Sequence, residues 1–172
     1  DYSLVSLLGG DSTRAAPFQG GAFATLYLSP RDYHRIHMPR TGRLRTMVYV
    51  PGRLFSVNPR TTRCVPRLFA RNERLVTIFD TDLGPMAVVL VGAMFVAGME
   101  TVWAGNITAT APADLEIWQY DGSLELARGA EMGRFNMGST VILIFPPQRI
   151  QWDDALSPGA PVRMGQRLAN IL

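Results

Sequence analysis

Apolar and polar residues alternate in short β-prone runs broken by proline, glycine and aspartate, and no long segment keeps a 3.6-residue hydrophobic period. Residues 23–28, closed by Ser29-Pro30, read as a buried strand. Residues 30–39 read as a polar loop, because a proline at each end limits regular structure and Pro39 biases Met38 towards an extended conformation. A strand over 42–50 and a turn at Pro51-Gly52 follow. Residues 75–79 and 86–91 flank a turn-rich stretch, predicting a β-hairpin with a longer loop. Its second arm is apolar on both alternating faces, which predicts a central strand covered on both sides, and Gly92 and Gly98 leave room for a bend or bulge. Thr101 to Gly105 begins another strand, whereas residues 109–121 are the least patterned and read as loop. Residues 126–135 are echoed by 162–169, each with apolar residues around a glycine turn, as in short hairpins of barrel-sandwich folds. The run at 141–145, stopped by Pro146-Pro147, is a further buried strand. Together these predict a mainly β chain, α+β with few short helices, folded over residues 1–172 as one β-sandwich or barrel-sandwich domain.

Composition narrows the function classes. With 172 residues, 47% of them hydrophobic and 18% charged, the chain is long enough for a full core and is globular in character. It opens at Asp1, which suggests an N-terminal truncation, and no signal peptide is visible. The longest apolar run, 86–98, is shorter than the roughly 20 residues of a spanning helix. Cys64 is the sole cysteine, so no intrachain disulfide forms; it reads as a small buried apolar residue, compatible with a reducing compartment. Every basic side chain other than histidine is arginine. Without lysine, this segment cannot hold pyridoxal phosphate as a Schiff base, nor carry a lipoyl or biotinyl group.

Arginine recurs nine times from Arg40 to Arg74. The run is either a solvated basic face with acidic partners or a surface for anionic lipid headgroups, where each arginine adds about 1 kcal/mol. Nucleic acid is not expected, since no recognised module accompanies the charge.

Candidate chemistry concentrates at two places. Gly138-Ser139-Thr140 precedes the last apolar strand, an ordinary turn pattern that also offers a serine nucleophile. No Gly-x-Ser-x-Gly elbow surrounds Ser139, which counts against a serine hydrolase. His34 and His37 are three residues apart, so on a strand they would face opposite ways and have different jobs. Two histidines need a further ligand to hold zinc, and no Cys/His/carboxylate cluster lies near them in sequence, so no metal is expected.

Several segments together resemble the bacterial phosphatidylserine decarboxylase proenzymes. They are Tyr27-Leu28-Ser29-Pro30-Arg31-Asp32-Tyr33-His34-Arg35-Ile36-His37-Met38-Pro39, Val50-Pro51-Gly52-Arg53-Leu54-Phe55-Ser56-Val57-Asn58 and Leu68-Phe69-Ala70-Arg71-Asn72-Glu73-Arg74. Phe79-Asp80-Thr81-Asp82-Leu83-Gly84-Pro85-Met86, Thr101-Val102-Trp103-Ala104-Gly105 and Glu131-Met132-Gly133-Arg134-Phe135 leading to Gly138-Ser139-Thr140 complete the set, in the same order. Met137 stands where bacterial members usually have leucine, a volume-conserving change.

The resemblance implies self-cleavage between Gly138 and Ser139 into a large chain, 1–138, and a small chain, 139–172. Ser139 Oγ attacks the Gly138 carbonyl to give an ester, elimination leaves dehydroalanine, and hydrolysis releases ammonia and leaves a pyruvoyl group at 139. That ketone takes the amine of phosphatidylserine as a Schiff base and is the electron sink for loss of carbon dioxide, giving phosphatidylethanolamine. By the same resemblance His37 is the base for self-cleavage, oriented by an aspartate upstream of the matched region, and His34 assists decarboxylation and protonates Cα. A homodimer, peripheral on the cytoplasmic face of the bacterial inner membrane, is also implied. The alternative from a different class is a histidine phosphocarrier domain using His34 or His37 and leaving Ser139 intact.

Overall fold

The computed structural model describes residues 2–94, 98–108, 113–136 and 139–172. In chain order these form helices α1 (Leu4–Leu7) and α2 (Ser12–Ala15), then strands β1 (Ala22–Leu28), β2 (Arg35–His37) and β3 (Gly42–Val50). Helices α3 (Pro59–Cys64) and α4 (Leu68–Arg71) precede the hairpin of β4 (Arg74–Thr81) and β5 (Gly84–Val91). Shorter strands follow: β6 (Met99–Thr101), β7 (Gly105–Asn106), β8 (Glu116–Gln119), β9 (Glu125–Leu126) and β10 (Glu131–Phe135). The long β11 (Ser139–Phe145) and a terminal pair, β12 (Ile150–Trp152) and β13 (Ala169–Ile171), complete the order.

The main sheet runs β1-β11-β5-β4-β3-β8, with β9 also paired to β3, and it is open rather than closed into a barrel. β5 is internal, and every side chain from Met86 to Val91 is fully buried, as its double apolar pattern requires. Alternation sends Met86, Val88 and Leu90 to one face with Leu75, Val141 and Leu143, where they pack on Ile36, Met38, Met99, Met132 and Phe135 of the second sheet, β2-β10-β6-β7, and its approaches. Ala87, Val89 and Val91 face the other way, with Val76, Ile142 and Ile144, onto Leu7, Leu8, Ala15 and Phe18 of the N-terminal helical segment. The result is a sheet-on-sheet sandwich with a helical cover, mainly β as the sequence predicts.

Five local expectations need correction. The hairpin loop is short: Thr81 pairs with Gly84, whose φ is +87°, and Thr81 Oγ1 donates to the Gly84 carbonyl while accepting the Leu83 N–H. Part of the 30–39 loop is strand β2, held by β10, and 116–119 of the unpatterned stretch is the edge strand β8 on β3; residues 109–112 lie outside the described set. The echo between 126–135 and 162–169 yields no common unit, since β9 joins β3 and β10 joins β2 whereas β13 joins β12. Cys64 is exposed, because α3 buries none of its residues.

Arg74 ties the helical cover to the sheet. It is 3% exposed, and its guanidinium donates to the carbonyls of Ser6, Leu7 and Asn72 at 2.7, 2.7 and 2.8 Å. Burial lowers its pKa to about 10. Arg74→Met keeps the stem but strands those carbonyls, so a loss of roughly 2–4 kcal/mol is expected in urea unfolding of the complete protein. An unchanged midpoint would show that water replaces the guanidinium without cost.

Candidate active site

The main sheet and the second sheet share a crossover. Leu28 and Ser139 form the last pair of β1 and β11. From there residues 29–34 lead to β2, β10 ends four residues before Ser139, and β2 and β10 pair again through Arg35 with Arg134 and His37 with Glu131. The 29–34 turn is tight, with the Ser29 N–H donated to Asp32 Oδ2 and the Asp32 N–H to the Ser29 carbonyl. Gly133 is required where β10 runs between β2 and β6, since a Cβ there would collide with the Glu100 carbonyl. The exposed pairs Arg35–Glu131 and Arg134–Glu100, each 2.6 Å, flank this strand, and the Arg134 guanidinium holds Glu100 below the usual carboxylate range.

His34 stands at the crossover, where its carbonyl accepts the Phe135 N–H. His37 is three residues further along β2, roughly 10 Å away by strand rise. Both ring nitrogens of His34 are buried and have no hydrogen-bond partner among the described residues. Ser139 is fully buried and its Oγ likewise has none. His37 is differently placed. Its Nδ1 lies 2.7 Å from the Gly129 carbonyl, which can only accept, so Nδ1 carries the proton and Nε2 accepts from the Tyr33 hydroxyl at 2.7 Å. The Tyr33 ring also stacks on that imidazole. Thus His34 sits at the end of β2 that meets the crossover, His37 has other partners, and neither histidine hydrogen-bonds Ser139 among the described residues. Gly138 and Met137 lie outside the described residues.

A carboxyl group that the sequence did not single out shares this face. Thr140 pairs with Val91 and Val91 with Arg74, so the next row across the sheet is Leu28, Ser139, Gly92 and Glu73, with the Gly92 N–H donated to the Glu73 carbonyl at 2.8 Å. By alternation Ser139 and Glu73 point to the side that packs on the second sheet, as Val141 and Leu75 do. Glu73 Oε1 is buried without a partner among the described residues, and burial raises the pKa of the carboxyl, partly offset by the Tyr49 hydroxyl. Burial and then the Glu73 charge push Tyr49 up to about 12. The segment after Pro51 holds Glu73 in place: Arg53 donates its N–H to the Arg71 carbonyl and accepts that of Glu73, while the Asn72 amide bonds Phe55 and Gly92. Gly52 permits this approach, because a Cβ would lie 2.5 Å from the Glu73 nitrogen.

The phosphatidylserine decarboxylase family model matches residues 1–170. The chain belongs to the phosphatidylserine decarboxylase family. It is 61% identical over 173 residues to the phosphatidylserine decarboxylase proenzyme of Ectopseudomonas mendocina, covering 98% of this chain and 60% of that protein. The proenzyme of Nitrosococcus oceani is 61% identical over 99% of this chain and 56% of its own length. That of Bordetella avium is 62% identical, over 98% and 58%. The chain therefore spans about three-fifths of the length of the curated relatives it matches. Family membership gives the phosphocarrier alternative no support, and the crossover geometry is now that of a family member.

Proposed function

We propose that the complete protein is a pyruvoyl-dependent phosphatidylserine decarboxylase that cleaves itself between Gly138 and Ser139. The single observation that carries this reading, beside family membership, is the Ser139 hydroxyl: fully buried, without a partner among the described residues, at the first residue of a core strand. An orphaned buried hydroxyl costs stability, and such costs persist where a group has chemistry to perform. Residue 139 fits a protein-derived ketone for the same reason, and when formed that ketone would supply the electron sink that a lysine-free segment cannot obtain from pyridoxal.

In this reading the Ser139 hydroxyl attacks the Gly138 carbonyl after giving its proton to His37, whose Nε2 would first release Tyr33. His34 then holds or delivers a proton beside the headgroup, for which its unpartnered ring nitrogens are suited. The position of His34 at the crossover favours a second reading with the two roles exchanged. Intact mass of the complete, purified protein tests the main reading. Two fragments are expected, the smaller beginning at residue 139 and refractory to Edman sequencing; fully active protein in one piece would refute it.

The reading extends to a homodimer lying peripherally on the cytoplasmic face of the bacterial inner membrane. Within the arginine run, Arg40, Arg43 and Arg45 are paired with Asp82, Glu125 and Asp80, whereas Arg53, Arg60, Arg63 and Arg67 have no acidic partner among the described residues. These four support contact with anionic lipid. Binding to phosphatidylglycerol-containing vesicles is then expected to weaken as salt rises from 0.1 to 1 M and the Debye length falls from about 10 to about 3 Å. Salt-independent sedimentation with vesicles would transfer the contact to apolar segments.

A further inference from the structure

We propose that Glu73 receives the ammonium group of the substrate headgroup, across the bare floor of Gly92 from residue 139. The assignment rests on the decarboxylase reading above and adds a recognition residue to it.

Ser139, Gly92 and Glu73 lie in one row on three adjacent strands, and the two outer side chains point to the same face. Between them the middle position has no side chain. A Cβ on Gly92 would stand 3.3 Å from the Glu73 carbonyl oxygen, 3.4 Å from Leu54 Cδ2 and 3.9 Å from Glu73 Cβ, so Leu54 closes over the bare position and must swing aside to admit a headgroup. Leu54, which covers it, is 43% exposed and therefore has solvent to turn into.

The dimensions suit an amine. Two strand spacings separate the outer Cα atoms by about 10 Å. Both side chains rise from the same face of the sheet, so a headgroup lying over the row and spanning about 10 Å can touch both. Of the charged groups on a phosphatidylserine headgroup, the carboxylate and phosphodiester would be repelled by ionised Glu73, and only the ammonium complements it. Among the described residues Glu73 Oε1 has no partner to displace, and an arriving cation supplies the counter-charge that burial otherwise withholds.

The test uses the complete protein carrying Ser139→Ala, so that no ketone forms and binding is read without turnover. Calorimetry compares dihexanoyl phosphatidylserine with its N-acetyl derivative, which lacks the ammonium charge. The parent is expected to prefer phosphatidylserine by about tenfold or more, as one charge-assisted hydrogen bond implies. Adding Glu73→Gln should erase that ratio. Gly92→Ala, which keeps the carboxylate and adds one methyl to the floor, should narrow it several-fold. No preference in the parent, or an unchanged ratio in the folded variants, overturns the assignment. Failure of the decarboxylase reading would appear separately, as an uncleaved protein with Ser139 intact, whereas Glu73→Gln alone should still cleave.

Discussion

Ser139→Ala is expected to leave the protein as one uncleaved chain with no decarboxylase activity. Alanine lacks both the nucleophile that opens the Gly138 peptide and the oxygen that elimination must remove. The substitution is also mild structurally. Ser139 is fully buried, its hydroxyl has no hydrogen bond to lose among the described residues, and the methyl that remains occupies the same site at the start of β11. Removing an unsatisfied hydroxyl should leave stability unchanged or raise it by up to about 1 kcal/mol. Gel mobility, intact mass and a melting curve on one preparation therefore separate lost chemistry from lost fold. Cleavage of the alanine variant at the same bond would end the serine-derived mechanism.

The second large effect distinguishes the histidines. His37→Ala should stop or greatly slow chain cleavage, with residual activity in proportion to the cleaved fraction. His34→Ala should cleave but turn over roughly 10²–10⁴-fold more slowly, the usual worth of general acid–base help. Exchanged phenotypes would select the second reading, in which the crossover residue is the base for Ser139. Near-normal turnover in a cleaved His34→Ala protein would remove that residue from the mechanism. Tyr33→Phe is informative alongside, because it releases His37 Nε2 without removing the imidazole; if His37 is the base, cleavage should be at least as fast as in the parent.

Where burial is dictated locally, the sequence was readable. The strand at 42–50 has the bounds expected, and β5 is central because both its faces are apolar. β8 was missed because its side chains are largely exposed and carry no alternating signal; only the partner strand β3 makes it a strand. β2 was hidden between prolines for a similar reason, its pairing being supplied by residues nearly a hundred positions away. Cys64 was misplaced because composition says which residues are usually buried, not which helix lies on the surface. Ser139, His34 and His37 were found through the family resemblance, but the partners of His37 depend on tertiary contacts with Gly129. Glu73 escaped notice because its proximity to Ser139 passes through two intervening strand registers and a glycine, none of which is a motif.

β11 lies between β1, with which it makes seven residue pairs, and β5, with which it makes five. Cleavage just before Ser139 would turn this internal strand into one donated by a separate polypeptide. Neither product could leave without opening the sheet through its middle and exposing both buried clusters. Exchange of small chains between molecules would then proceed no faster than global unfolding. The processed pair, bimolecular in its equilibrium with the unfolded chains, would persist on dilution and copurify as a single kinetic unit.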